Sequence, residues 1–245
     1  MKNRKFEKII KCYDLNDKDI RLKYYHSYRV AELQVKYAKL LGFSKEDIAI
    51  AKVIGLVHDI GRFEQIKRYK TYMDHVSMDH GVYGAKILFE DGLIEGICDK
   101  KEWYPIIKFA VISHNQRQFK RCDDERMNMH AMLIRDTDKL DILYLSGILE
   151  ETKLYSDDSK VSEKVKEYFW KHMLVDHRSL KTNNDDYVVM LAYPFDINYG
   201  IVYVEIKKLF EKIYDEIKDN KDILELYNYV MKYIDEGIDK YEGTR

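Results

Sequence analysis

Four of the eight histidines in this chain occupy positions where a helix would turn them towards apolar neighbours. His26 shares a helical face with Leu22 and Val30, and His58 ends the apolar run 48–57. The four histidines are His26, His58, His80 and His114. Because an unpartnered buried polar group costs about 1–3 kcal/mol, a lone inward histidine is usually a satisfied core residue, whereas four together predict a common partner.

Carboxylates accompany these histidines. Asp59 follows the second of them directly, and Asp138 lies between Ile134 and Ile142 on a predicted helix. Asp136 also has apolar neighbours, so periodicity alone does not choose between Asp136 and Asp138. Imidazole and carboxylate ligands together suit Mn, Fe, Co, Ni or Zn, whereas a site made for Mg alone would use mostly oxygen ligands. The pattern predicts one divalent metal site, and a second if His80 and His114 also bind metal, with Mg kept as an alternative ion.

The elements that must position these residues are predicted to be helices. Only two prolines occur among 245 residues, and helix-favouring residues dominate. The 3.6-residue periodicity predicts helices at about 3–12, 19–41, 45–59, 75–90, 102–115, 127–151, 159–175, 185–192, 199–217 and 220–240. The predicted fold class is therefore all-α.

Local signals mark some boundaries. Gly42 is predicted to end the second helix, Ser44 with Asp47 resembles a capping box for the third, and Gly61 is predicted to end it. Segments 62–74 and 116–125 lack periodicity and are predicted loops. We expect an N-terminal helix in 1–19, a metal-binding helical domain in 20–150, and a C-terminal helical extension in 151–245 packed on the same domain.

Charge and hydropathy restrict the partners. The formal net charge is −1, from 42 basic and 43 acidic residues, so no global field would attract extended nucleic acid or a membrane surface. No apolar run approaches the roughly 20 residues of a membrane span. No signal peptide is evident at the N-terminus, and three scattered cysteines suggest reduced thiols, so we expect a cytoplasmic protein. A homo-oligomer is compatible with this sequence.

Three motifs, in this order, resemble the HD superfamily of metal-dependent phosphohydrolases. They are His26-Ser-Tyr-Arg-Val30, Leu56-Val-His-Asp-Ile-Gly61 and Asp136-Thr-Asp-Lys-Leu-Asp141. The resemblance covers roughly residues 20–150. It implies a compact HD-domain helical bundle with additional C-terminal helices, and hydrolysis of a small phosphorylated metabolite or nucleotide through a metal-activated water.

The resemblance also implies roles for individual residues. The family's four metal ligands fall on His26, His58, Asp59 and Asp138, with Asp136 as the fallback for the last. His80 and His114 resemble the additional histidines of relatives that bind two metals, in which case Asp59 would bridge the ions. With one ion, these two histidines would contact phosphate or donate protons.

The expected mechanism uses a water whose pKa the metal lowers towards about 7. Asp59 would orient that water and accept its proton. Arg62 and Lys139 would stabilise charge on the transferred phosphoryl group and bind substrate, and Asn115 would line the same pocket. The alternatives are an Arg62 that interacts with a helix C-terminus and a solvated Lys139.

This sequence departs from the family's pattern in two places. Many relatives carry Lys where Arg62 stands, and the Gly-Tyr-Pro signature of the cyclic-dinucleotide phosphodiesterases is missing, which disfavours that branch. Two further interpretations stay open from the sequence: an HD-type dinuclear iron oxygenase, and a non-catalytic metal-binding sensor module.

Overall fold

Helices form the regular structure of the computed structural model, which describes residues 3–150 and 152–243. No strand occurs among these residues, so the predicted all-α class is confirmed. The α-helices are α1 (Arg4–Ile10), α2 (Lys18–Leu40), α3 (Lys45–Val57), α4 (Ile60–Tyr69), α5 (His80–Phe89), α6 (Tyr104–Ser113), α7 (Glu125–Gly147), α8 (Glu163–Trp170), α9 (Asn183–Leu191), α10 (Tyr203–Ile217) and α11 (Lys221–Gly243).

The predicted junction between the second and third helices is confirmed. After α2, the Phe43 amide donates to the Ala38 carbonyl at 2.9 Å, and Gly42 adopts a left-handed conformation. The Ser44 hydroxyl then accepts from the Asp47 amide at 3.0 Å and starts α3. The Asp47 carboxylate accepts from the Ser44 hydroxyl at 2.6 Å, so the second hydrogen bond of this cap joins two side chains.

The prediction of a loop over residues 62–74 is wrong for its first part, because α4 occupies Ile60–Tyr69. Ile60, Phe63 and Ile66 are spaced as one helical stripe, and all three are buried. His58 and Asp59 form a turn between α3 and α4, so the helical periodicity is broken there. The short apolar stripe of α4 is therefore hard to recognise from the sequence. Lys70, in the left-handed region, ends α4.

Several other predicted boundaries also move. The third helix ends at Val57, which leaves His58 and Asp59 in the turn before α4. The helix predicted at 75–90 begins only at His80, because Asp79 caps its N-terminus. The predicted helices at 159–175 and 199–217 shorten to α8 and α10. The predicted segment boundaries at residues 1, 151 and 245 lie outside the described residues.

Two glycines allow the helices that carry site residues to approach closely. A Cβ at Gly55 of α3 would lie 2.7 Å from the Ala31 Cα of α2. A Cβ at Gly61 would lie 2.2 Å from the His80 carbonyl oxygen. Gly61 therefore does not end a helix, as predicted; it sits within α4 and lets α4 contact the start of α5.

The chain divides into two units, the first ending at Asp138 and the second beginning at Lys139, so that α7 runs through the boundary. The first unit has an apolar core to which α1 to α6 contribute, with Phe6, Ile54 and Phe63 among its fully buried members. The second contains α8 to α11, with buried residues such as Phe169 and Phe210. No described helix is long and apolar enough to cross a membrane. Packing of the C-terminal helices on the same domain stays a prediction.

Candidate metal centre

Six side chains from five different parts of the first unit meet in its interior. His26 comes from α2, His58 and Asp59 from the turn after α3, and His80 from the first residue of α5. His114 follows the last residue of α6, and Asp138 lies on α7. The four histidines and Asp59 are buried, each with an exposed fraction of 3% or less.

One part of the cluster, the first donor set, consists of His26 Nε2, His58 Nε2, Asp59 Oδ2 and Asp138 Oδ1. The two imidazole nitrogens lie 3.2 Å apart. Asp138 Oδ1 lies 3.0 Å from His26 and 3.4 Å from His58. Asp59 Oδ2 lies 3.4 Å from His26 and 3.7 Å from His58. Donor atoms about 2.1 Å from one ion lie about 3.0–3.4 Å apart, so these distances suit a common cation.

The second donor set consists of His80 Nε2, His114 Nε2 and the other oxygen of Asp59, Oδ1. The two nitrogens lie 3.0 Å apart. Each lies close to Asp59 Oδ1, at 3.3 Å for His80 and 3.4 Å for His114. The Asp59 carboxylate thus has one oxygen in each donor set, and both sets contain groups that could hold a metal ion.

Hydrogen bonds on the far side of the rings define the tautomers of three of the four histidines. Nδ1 of His58 and Nδ1 of His114 donate to backbone carbonyl oxygens three residues earlier, at 2.9 and 2.6 Å. Nδ1 of His80 donates to a carboxylate oxygen of Asp74 at 2.7 Å. Since these partners only accept, each neutral ring carries its proton on Nδ1 and turns the Nε2 lone pair into the cluster.

The centre therefore gathers acceptors that need a positive charge. Oδ1 of Asp138 is buried and makes no hydrogen bond, although it lies 3.0 Å from His26 Nε2. Lone pairs that face each other at this separation repel unless a proton or cation lies among them. The imidazole and carboxylate donors, with Nδ1 anchored by second partners, are the arrangement found around divalent transition metals.

Both carboxylates of the cluster are ionised at neutral pH. Burial raises the pKa of Asp59, but the charge of the nearby Lys23 ammonium group, together with the surrounding histidines, outweighs burial and holds this pKa well below its usual value. Burial acts on Asp138 in the same way, and there His26 and His58 keep the pKa well below the usual range. These groups are ready to ligate a cation without first releasing a proton.

His114 is neutral at the same pH. Burial lowers the pKa of His114 to about 4, with repulsion from His80 and His58 adding to the effect although Asp59 opposes it. A neutral imidazole with its Nε2 lone pair turned inward is the form that ligates metal.

Arg62 lies at the edge of the second donor set. Its Nε is 3.8 Å from Asp59 Oδ1, is buried and makes no hydrogen bond. Its Nη1 donates to Gln65 at 2.5 Å and to Asp74 at 2.8 Å. The guanidinium group is thus held beside the cluster with its Nε–H still available.

Asn115 and Lys139 are placed differently from Arg62. The Asn115 amide donates to Asp79 at 2.9 Å and to Asp74 at 3.2 Å, on the Nδ1 side of His80. Lys139 belongs to the second unit, where its ammonium group lies 2.7 Å from the Asp196 carboxylate. The role of Lys139 at the donor sets stays a prediction. Asp136 is buried but belongs to none of the candidate metal groups.

Sequence reasoning missed Lys23, whose ammonium group lies 2.7 Å from Asp59 Oδ2. The Lys23 side chain is only 11% exposed, and its Nζ lies 5.6 Å from the centre of the Tyr72 ring. Its position three residues before His26 on α2 was a usable signal, because residues three apart share a helical face.

Arg135 was also missed. It is fully buried on α7, and its guanidinium group donates to the backbone carbonyls of Ser113, His114 and Gln116 at 2.7, 3.2 and 2.7 Å. These bonds fix the end of α6, from which His114 projects. Its position beside the apolar pair Leu133 and Ile134 was the signal in the sequence.

Fold and site together define an all-helical protein with a buried histidine and aspartate centre that could hold divalent metal. Residues 24–143 match the family model of the HD domain, a range that contains all six cluster residues. This segment belongs to the HD domain family, which confirms the resemblance drawn from the motifs. Comparison with curated proteins found no match, and comparison with solved structures found none either.

Proposed function

We propose that this protein is a metal-dependent phosphohydrolase that acts on a small phosphorylated metabolite or nucleotide. The observation that carries the proposal is the environment of Asp59. Its two oxygens belong to two donor sets, and two cationic side chains, Lys23 and Arg62, lie 2.7 and 3.8 Å from its carboxylate. Metal ligands beside fixed cations suit an anionic substrate.

His26, His58, Asp59 and Asp138 would hold one divalent ion, and Asp59 with His80 and His114 would hold a second. A bound ion supplies a Lewis acid that polarises a phosphoryl oxygen and lowers the pKa of water towards about 7. The low pKa of Asp59 makes its carboxylate a ligand and orienting group and a poor store for a proton.

Charge on the phosphoryl oxygens needs donors that are already in place. The Arg62 Nε is the best candidate, because Gln65 and Asp74 hold the rest of the guanidinium group. Lys23 offers a second cation on the opposite oxygen of Asp59. We propose Asn115 as an indirect contributor through Asp74, and we assign Lys139 no step because its ammonium group pairs with Asp196.

His80 and His114 are better suited to metal binding than to proton transfer. Their Nδ1 protons are held by Asp74 and by the Val111 carbonyl, so the Nε2 atoms that face the cluster carry lone pairs. We therefore assign neither residue as the acid that protonates a leaving group.

The test is a screen of the full chain, stripped of metal and then supplied with Mn, Fe, Co, Ni, Zn or Mg, against phosphomonoesters, phosphodiesters and nucleotides. Wild-type protein should turn over at least one class in a metal-dependent manner. Asp59→Ala should lose activity by on the order of 10³-fold, because both donor sets lose an oxygen. Activity that survives Asp59→Ala would remove the mechanism.

An HD-type dinuclear iron oxygenase is the second candidate, because His80 and His114 do lie with Asp59 in a second donor set. Protein loaded anaerobically with iron distinguishes the two. An oxygenase would consume oxygen in the presence of substrate and show an iron-dependent near-ultraviolet band. The phosphohydrolase would release phosphate or an alcohol without oxygen. Metal binding with no turnover in either assay would favour a sensor module.

A further inference from the structure

Asp74 is a carboxylate that no motif singled out, and it lies just outside the second donor set. It occupies the short 3-10 helix Asp74–Val76, between α4 and α5. Its oxygens accept from His80 Nδ1 at 2.7 Å, Arg62 Nη1 at 2.8 Å, Gln65 Nε2 at 2.9 Å and Asn115 Nδ2 at 3.2 Å. One carboxylate thus joins a candidate metal ligand to the candidate phosphate-binding arginine.

We infer that Asp74 is a positioning residue for the second ion: it fixes His80 for ligation and thereby decides whether the second donor set is occupied. The inference rests on the proposed function, because it presumes that the donor sets bind divalent cations. It assigns a role to a residue outside both sets.

His80 differs from His58 and His114 in the partner of its Nδ1 atom. His58 and His114 each donate to a backbone carbonyl of their own helical turn. That partner is present whenever the helix forms. His80 begins α5 and depends instead on a side chain from a separate segment. Its tautomer and ring orientation are therefore the ones that a single side chain controls.

A carboxylate on Nδ1 also changes the strength of the ligand. It raises the basicity of the opposite ring nitrogen, and loss of such a partner typically weakens metal affinity about 10–100-fold. The second donor set offers three donor atoms where the first offers four, so it has less to compensate a weakened His80. Removal of Asp74 should therefore affect the second ion more than the first.

The same carboxylate couples substrate binding to this ion. Asp74 and Gln65 hold the Arg62 guanidinium group, and Gln65 also donates to Asp74. Loss of Asp74 would remove the Nδ1 partner of His80 together with one of the acceptors of Arg62 Nη1, which would keep Gln65 and the Tyr72 carbonyl. One side chain would thus order both the second ion and the cation proposed to receive phosphate.

The experiment is a calorimetric Mn²⁺ titration of the full chain, stripped of metal, for wild type, Asp74→Ala and Asp74→Asn. Wild type should bind two ions. Asp74→Ala should bind the first with unchanged affinity and the second about 10–100-fold more weakly. Asp74→Asn keeps an oxygen that can accept from His80 but lacks the charge, and it should fall between the two. Electron paramagnetic resonance should show coupled ions in wild type and isolated Mn²⁺ in Asp74→Ala.

Asp47→Asn is the matched control, because Asp47 also accepts from a buried histidine in the first unit, His130 at 3.1 Å. It should leave both ions in place. Two ions of wild-type affinity in both Asp74 variants would overturn the inference, as would an equal loss of both ions in a folded Asp74→Asn protein. Wild-type protein that binds no ion would instead overturn the proposed function.

Discussion

Two buried groupings of histidine and aspartate in the first unit differ in how their hydrogen-bond donors and acceptors are paired. His130 is fully buried, and its Nε2 lies 3.1 Å from Asp47, which also accepts from Arg126 at 2.7 Å and from Ser44 at 2.6 Å. Donors face both oxygens of Asp47, while His130 Nδ1 is buried without a hydrogen-bond partner. In the two donor sets, inward lone pairs of imidazoles meet carboxylate oxygens, and Asp138 Oδ1 has no hydrogen-bond partner.

The difference shows that burial of a histidine is a poor sign of a metal site. Burial lowers the pKa of both His130 and His114. The direction of the ring nitrogens and the identity of their partners separate a structural pair from a candidate ligand. A structural pair should stabilise the protein by itself, whereas a metal centre should stabilise it only when the cation is present.

The largest expected effect comes from Asp138→Asn. Its amide can donate to the Nε2 lone pair of His58, so the metal-free variant should fold and lose little stability compared with wild type. The first donor set loses one of its two carboxylates, and activity should fall by on the order of 10³-fold. Metal-dependent turnover and urea denaturation, each with and without Mn²⁺, measure both effects. Strong destabilisation of the metal-free variant would contradict the comparison.

Asp47→Ala should have the opposite profile. It removes the acceptor shared by His130, Arg126 and Ser44, so the free energy of unfolding should fall by about 2–4 kcal/mol with or without metal. The number of bound ions should not change. Urea denaturation and metal analysis of the same preparation measure this, and a lost ion in a folded Asp47→Ala protein would show that the two groupings are not independent.

A smaller effect is the pH dependence of the metal-free protein. The pKa of His114 is about 4 in the folded state, because of burial, against about 6.5 when unfolded. Between these pH values the unfolded chain therefore binds more protons than the folded chain. The His114 contribution to the free energy of unfolding is fully present above about pH 6.5 and falls as the pH drops. Between about pH 7 and about pH 5 the His114 contribution should be about 2 kcal/mol.

Urea denaturation over this pH range measures the effect. His114→Asn should flatten the curve by the His114 contribution, while the part due to His130, whose pKa burial also lowers, should remain. A curve unchanged by His114→Asn would contradict the assignment of His114 as a neutral, buried ring.

Much of the candidate site could be predicted from the sequence because its histidines lie on apolar helical faces. Periodicity selected His26, His80 and His114, and the apolar run before the His-Asp pair selected His58 and Asp59. Asp138 could not be separated from Asp136 by periodicity, since both have apolar neighbours, and the family motif made that choice. Their roles as ligands stay predictions.

The rest depends on contacts that local pattern does not encode. Lys23 shares a helical face with His26, but both Lys23 and Asp74 look like solvated charges in a chain rich in them, and only the fold brings Lys23 to Asp59, 36 residues away. Arg135 contacts carbonyls about 20 residues earlier, at the end of another helix. The short helix α4 was missed because it offers less than three turns of pattern after a break at the His-Asp pair.

The most direct test of the metal centre is anomalous diffraction from crystals of the full chain loaded with Mn²⁺. We predict two peaks on either side of the Asp59 carboxylate, one in contact with His26, His58 and Asp138 and the other with His80 and His114. A fully loaded crystal with no peak at Asp59, or with Mn²⁺ bound only elsewhere on the chain, would contradict the proposed metal centre.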